Sequence, residues 1–152
     1  MSIDARLSEL NITLPDAPAP AANYVPYVRT GNLLFVSGQI AAGADGLIKG
    51  RLGHDMDTAA GAAAARACGL SLLAQARAAL GSLDRVARVV KLTGFVASTP
   101  DFTDQPEVIN GCSDLMVEVF GEAGRHARAA VSAPALPRGV AVEIEAIFQV
   151  TG

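Results

Sequence analysis

The chain has 152 residues, 51% apolar, 18% charged and only 5% aromatic, with a net charge of −3 and an isoelectric point near 5.3. That length suits one domain able to bury about two-thirds of the surface its unfolded chain would expose, and a mean hydropathy of +0.34 excludes a chain that stays disordered. The acidic balance and scarce aromatic rings argue against the basic, stacking surface that nucleic acids require. No run of about 18 apolar residues reads as a membrane span. No basic-then-apolar leader is evident at the N-terminus, so a cytoplasmic protein is expected. Cys68 and Cys112 are too few for a disulfide framework or metal cluster and read as buried thiols. The chain carries 29 alanines and 15 glycines and no tryptophan, a composition that lets elements approach closely.

Residues 2–10 read as a short amphipathic helix capped by Ser2, with Ile3, Leu7 and Leu10 on one face. Pro15, Pro18 and Pro20 then mark an extended linker. Tyr24 to Ser37 contains two strand-like stretches split by a turn at Thr30-Gly31-Asn32. The second, Leu33-Leu34-Phe35-Val36, is continuously apolar, as a strand covered on both faces would be. Gly43 to Gly53 reads as an irregular hairpin loop or flap. A long helix is expected over residues 57–80, capped by Asp57, stopped by Gly81, and faced with Gly61, Ala65, Cys68, Leu72, Ala76 and Ala79. Val86 to Ala97 is a strand. A second helix is expected from Thr103 to Phe120, with Pro106 in its first turn and a stripe of Val108, Cys112, Leu115 and Val119. Strands at Ala127–Ala133 and Val140–Val150 close the chain. The order is that of an α+β domain with one sheet and two long helices on one face. Such a sheet leaves its other face to be covered by further copies of the chain.

No phosphate loop, dinucleotide fingerprint or nucleophile elbow is present, and the two histidines, His54 and His126, have no metal-ligand spacing. His126 and Arg128 lie two apart on a strand and so face one side. A charge inside the apolar stretch Ala127–Val131 must be paired or bind a ligand. An ion pair to Glu143 or Glu145 and a bound anion both satisfy that requirement, while His126 fits either a structural hydrogen bond or a ligand contact. Glu143 and Glu145 share a strand face, either solvated or with one acting as general base on a water. Ser37-Gly38 follows an apolar strand directly and suits ligand contact as well as it suits a strand end. Asn110-Gly111 looks like a hairpin turn but lies within the second helix pattern, where the amide points into a cleft or to solvent.

Tyr24-Val25, Gly31-Asn32, Ser37-Gly38-Gln39-Ile40, Arg128-Ala-Ala-Val131, Leu136-Pro137 and Val142-Glu143-Ile144-Glu145-Ala146 together resemble the RidA/YjgF/YER057c/UK114 family, also labelled endoribonuclease L-PSP. The segments Gly124–Arg128 and Asn110–Asp114 look like its YjgF/chorismate-mutase-like branch. The resemblance implies a chorismate-mutase-like α+β fold over residues 21–152, preceded by a helix and linker over residues 1–20. It implies a homotrimer with sheets facing inward and clefts between subunits. In deaminating members an arginine at the position of Arg128 binds the substrate carboxylate, and a carboxylate at the position of Glu143 positions or activates water. Tyr24, Ser37, Gly38 and Asn110 match cleft-lining positions, with His126 and Ala130 beside them. The implied reaction converts an enamine or imine of a 2-amino acid to a 2-keto acid and ammonia, without cofactor or metal. A non-catalytic trimer that binds a small carboxylate and an endoribonuclease, as in the family label, are the alternatives. The sequence departs from the family pattern in its longer middle and second helix, in Ala130 where some members have cysteine, and in the additional His126 and Tyr27.

Overall fold

The computed structural model describes residues 1–20 and 22–152; the expected boundary between linker and domain falls at Ala21, outside the described residues. The chain opens with α1 (Ile3–Glu9), whose cap Ser2 accepts a hydrogen bond from the Ala5 amide at 3.1 Å. A hairpin of β1 (Tyr27–Thr30) and β2 (Leu33–Ile40) turns at Gly31, where φ is +58°. Pro26 lies just before β1, so the first strand starts at Tyr27 rather than Tyr24. The Gly-rich stretch holds a small separate hairpin, β3 (Ala42–Gly43) with β4 (Gly46–Leu47). The long helix α2 (Thr58–Leu80) is capped by Asp57 and ended by Gly81 in the left-handed region. Then follow β5 (Val86–Ala97), α3 (Gln105–Phe120), β6 (Ala127–Ala133) and β7 (Val142–Val150).

Two expected boundaries move. The second helix begins at Gln105 rather than Thr103. A start at Thr103 would place Pro106 where an amide is needed for the first intrahelical bond; a start at Gln105 places it where the missing amide costs nothing. The last strand begins at Val142, because Val140 bridges to Lys49 instead.

Five strands form one mixed sheet in the order β1-β2-β7-β5-β6. β7 is antiparallel to both neighbours, so β2 and β5 run parallel on either side of it, joined by α2. β5 and β6 pair in parallel through the crossover helix α3. Both long helices cover the same face. Leu34, Val36, Leu92, Val96, Val142, Ile144 and Phe148 point into that layer and are buried. Among the described residues nothing packs over the opposite face as the helices do over this one. Phe35, Val131 and Val28 keep 40%, 44% and 52% of their surface exposed. The pairings Val28↔Phe35 and Phe35↔Ile147 place three apolar side chains together on it. The apolar run Leu33–Val36 is therefore covered on one face only in a single chain. No helix among the described residues is long and apolar enough to cross a membrane.

Glycine sets the spacing of the helix layer. A Cβ at Gly111 of α3 would collide with the Ala62 carbonyl of α2, and one at Gly69 would press on Leu115 and Cys112. Both cysteines are buried in this layer as free thiols. Burial pushes the Cys68 thiol well above its usual range and the Cys112 thiol up to about 12, with Arg128 opposing the latter. α1 joins the same body: Leu7 is buried in the core, and the Arg6 guanidinium donates to the Glu118 carbonyl at 2.9 Å.

Gly111→Ala is expected to destabilise the fold by about 1–3 kcal/mol, since the methyl meets unyielding backbone. Better helix propensity returns no more than ~1 kcal/mol. A melting temperature equal to or above that of the parent protein would contradict this packing.

Candidate functional site

Ser37-Gly38 is not a strand end. β2 continues to Ile40 across a bulge: Val36 pairs with Ala146 and Gln39 with Ile144, leaving one extra residue between them. The bulge presses the backbone of Gly38 against the Glu143 carboxylate, and a Cβ there would overlap Oε2. Only glycine leaves that carboxylate where it is. The Ser37 hydroxyl donates to the Val25 carbonyl at 2.8 Å, and its amide donates to the Pro26 carbonyl at 2.9 Å. Ser37 therefore ties the segment carrying Tyr24 to β2. Glu143 is half-buried on β7, and its carboxyl is raised above the ordinary range, first by desolvation and second by the charge of Glu145.

These residues border a cavity of about 570 Å³, lined by Tyr24, Gly38, Glu143, Leu47 and Arg138 and closed on one side by the proline segment around Pro18. Two buried glutamines support that cover. The Gln75 amide of α2 donates to the Pro18 carbonyl at 2.6 Å and to Gln39 Oε1 at 3.3 Å, and Gln39 donates to the Ser37 carbonyl at 2.9 Å. Arg138 holds a left-handed backbone conformation, φ +63°, that non-glycine residues seldom adopt and that recurs at functional sites.

A second group of polar residues gathers at the other edge of the sheet. Asn110 and Ser113 stand one turn apart on α3, above His126 and Arg128 at the start of β6. Arg128 Nη1 donates to Asn110 Oδ1 at 2.8 Å and to Ser113 Oγ at 3.2 Å. His126 Nδ1 lies 2.6 Å from the Gly124 carbonyl and Nε2 lies 2.9 Å from Ser113 Oγ. Desolvation lowers the His126 pKa, the Gly124 carbonyl opposes that, and the Arg128 charge adds to it. No carboxylate among the described residues stands within ion-pair distance of Arg128, so the ion pair to Glu143 or Glu145 does not form within the chain. Ala130, next but one on the same side of β6, packs partly buried against the core beside Gly94.

The expected site residues therefore fall into two sets. Tyr24, Ser37, Gly38 and Glu143 are together, and Asn110, His126, Arg128 and Ala130 are together. The sets do not meet in one chain. Glu143 pairs in register with Phe95 and faces the open side of the sheet; Arg128 pairs with Leu92 and faces the helices. β5 lies between their strands, putting them about 10 Å apart across the sheet, with three residues, about another 10 Å, along it. Ser113 and Gln39 lie within the family-like segments of the sequence with no site role attached to them, and Gln75 and Arg138 lie outside those segments. The i,i+3 spacing of Ser113 from Asn110 was the available signal for the first. No sequence signal marks Arg138, since its backbone state is set by the turn around it.

Residues 4–147 match the family model described as YjgF/chorismate_mutase-like, putative endoribonuclease. Protein TCP17 of Trypanosoma cruzi is 52% identical over 149 residues, covering 97% of this chain and 93% of that one. Among solved structures, Atu1372 of Agrobacterium tumefaciens, described as of unknown function, is 49% identical with a TM-score of 0.90, over 98% of this chain and 92% of that one. TdcF of E. coli with bound serine is 26% identical with a TM-score of 0.63, over 89% of this chain and 94% of that one. With the family model matched over nearly the whole chain and the fold shared with these relatives, this protein belongs to the YjgF/chorismate-mutase-like family.

Proposed function

We propose that the protein hydrolyses 2-imino acids and their enamine tautomers, of the 2-iminobutanoate and 2-iminopropanoate type, to 2-keto acids and ammonia. The observation that carries this reading is the pair of unneutralised groups. Arg128 is held by neutral acceptors with no carboxylate of its own, and Glu143 is half-desolvated at the wall of a cavity large enough for a small acid. An arginine left free in this way suits a planar carboxylate, which its guanidinium takes through two parallel hydrogen bonds. An iminium carbon is already electrophilic, so a held substrate and a positioned water suffice. In this reading Glu143 takes a proton from water as the oxygen bonds to the imine carbon and the C=N π electrons move to nitrogen. The proton then passes to that nitrogen, the C–N bond breaks, and ammonia leaves as the hydroxyl oxygen becomes the carbonyl and gives its proton to Glu143, which passes it to the departing ammonia. A relative that holds serine, a small 2-amino acid, is consistent with the ligand class.

The two sets of residues serve one site only if they come from different copies, and this reading therefore includes a homotrimer. The uncovered face with Val28, Phe35 and Val131 supplies the apolar area for association. β6 is an edge strand, so Arg128 stands where a neighbour can reach it. The ribonuclease activity in the family description is less well supported, since a chain of isoelectric point 5.3 with 5% aromatic residues lacks a backbone-binding groove.

An amino-acid oxidase generating a panel of 2-imino acids in situ tests the reaction, with imine decay followed against time. The parent protein is expected to accelerate it. Arg128→Ala raises KM about 30-fold or more, the scale of a hydrogen bond to a charged group, and Glu143→Gln lowers kcat by about 10²–10⁴. Acceleration of no imine, alongside thermal stabilisation by 2-keto acids, would replace catalysis by simple carboxylate binding. The rate is expected to fall on acidification through a Glu143 pKa that lies above the usual carboxylate value, because the protonated acid cannot accept from water. Glu145→Gln removes the second cause of that elevation, so the acid limb moves to lower pH; a limb that stays put would assign it to another group. Phe35→Asp puts a charge on the uncovered face, and sedimentation is expected to show loss of the trimer together with loss of activity.

A further inference from the structure

The hydrogen bonds around Arg128 have a direction that fixes more than their number. The Gly124 carbonyl can only accept, so His126 Nδ1 carries the proton in the bond between them. Burial lowers the pKa of the ring and so favours its neutral form, in which Nε2 is a bare acceptor. The one proton of the Ser113 hydroxyl must then point to His126, and its lone pairs point to Arg128. Without that histidine nothing fixes the hydroxyl rotor, and its lone pairs are no longer held on Arg128. Nη1 of Arg128 has two protons, and Asn110 and Ser113 take both. Nε and Nη2, the side-on edge that matches a carboxylate, bond to nothing among the described residues.

We propose that Ser113 and His126 are positioning residues that lock the Arg128 guanidinium, so that its Nε–Nη2 edge is the one offered to a planar carboxylate. This rests on the reading of Arg128 as the carboxylate anchor. It assigns His126 a role behind the binding surface rather than on it: both ring nitrogens are engaged within the chain, so the ring contributes no free donor or acceptor to a ligand. The chain Gly124 carbonyl, His126, Ser113, Arg128 is a one-way relay of hydrogen-bond polarity, each group setting the orientation of the next. The backbone carbonyl at its end cannot reverse, so the guanidinium has one stable orientation.

The full-length protein tests this by calorimetry with 2-oxobutanoate and with its neutral amide, alongside melting temperature and assembly size. Ser113→Ala and His126→Phe are expected to weaken 2-oxobutanoate binding about tenfold, the scale of a single hydrogen bond to a charged group. Both leave amide binding unaffected, and in turnover they raise KM with little change in kcat. Ser113→Thr, which keeps the hydroxyl, and His126→Gln, whose Oε1 can accept from it, are expected to restore binding to within about threefold. In nitrogen-15 spectra the Nη1 protons of Arg128 are expected to be resolved in the parent protein and averaged in Ser113→Ala. If Ser113→Ala and His126→Phe bind as the parent does while Arg128→Ala loses binding, the lock is wrong and the anchor stands. If Arg128→Ala binds 2-oxobutanoate as tightly as the parent, the anchor is wrong and the lock falls with it. Should Ser113→Ala fail to fold, the contrast between His126→Phe and His126→Gln decides the same question.

Discussion

α3 lies against the backbone of α2 because residue 111 has no side chain, and the polar edge of the sheet depends on that contact. Gly111 meets the Ala62 carbonyl directly, while Gly61 and Gly69 of α2 receive Val108 and Leu115 of α3. Close approach fixes the height and rotation of α3 over β5 and β6. The neighbouring residue, Asn110, then reaches Arg128, and Ser113 one turn further reaches both Arg128 and His126. Packing density is high enough in such a layer that one added methyl shifts a helix rather than filling a void. Alanine and glycine along α2 are thus part of how the edge of β6 is built.

The sheet divides the chemistry as the helices do not. Its buried face holds Arg128 at an edge and its open face holds Glu143, with β5 between. Placed side by side, a guanidinium and a carboxylate would neutralise one another and leave nothing for a ligand. Separation keeps the two groups from pairing with one another within one chain. The bulge in β2 has a matching part: it lets backbone, without a side chain, approach the carboxylate, which stays half-shielded from water with its pKa raised. Isolated like charges on one strand face, Glu143 and Glu145, strengthen that effect.

Periodicity and punctuation made most of the elements legible. Asp57 and Gly81 bracket α2, the 86–97 run is one strand, and the stripe of Val108, Cys112, Leu115 and Val119 is the buried face of α3. These are local signals, each set by capping, by glycine or by a repeat. The i,i+2 spacing of His126 and Arg128 also foretold that they share a neighbourhood. What the sequence hid is whatever depends on two distant segments meeting. Ser37-Gly38 reads as the end of a strand because a bulge leaves no mark of its own; only pairing with β7 reveals that the strand continues. Gln75 reads as a polar residue of a helix, and its partner Pro18 lies 57 positions away. Of the two alternatives for Arg128, the ion pair to Glu143 or Glu145 does not form, because topology puts β5 between their strands.

The thiols of the helix layer have a practical consequence. Cys112 titrates near 12 and Cys68 is held well above its usual range, both by burial. At neutral pH both thiols are therefore held in the protonated form, which is the less reactive one. Alkylating reagents and mild oxidants act on the thiolate, so both burial and protonation are expected to protect the two thiols in the native fold. A single cysteine introduced on the surface can therefore carry a spectroscopic label with no need to remove the two natural ones. Conversely, reaction of either natural thiol reports opening of the α2–α3 layer, which makes the unmodified protein its own probe of unfolding.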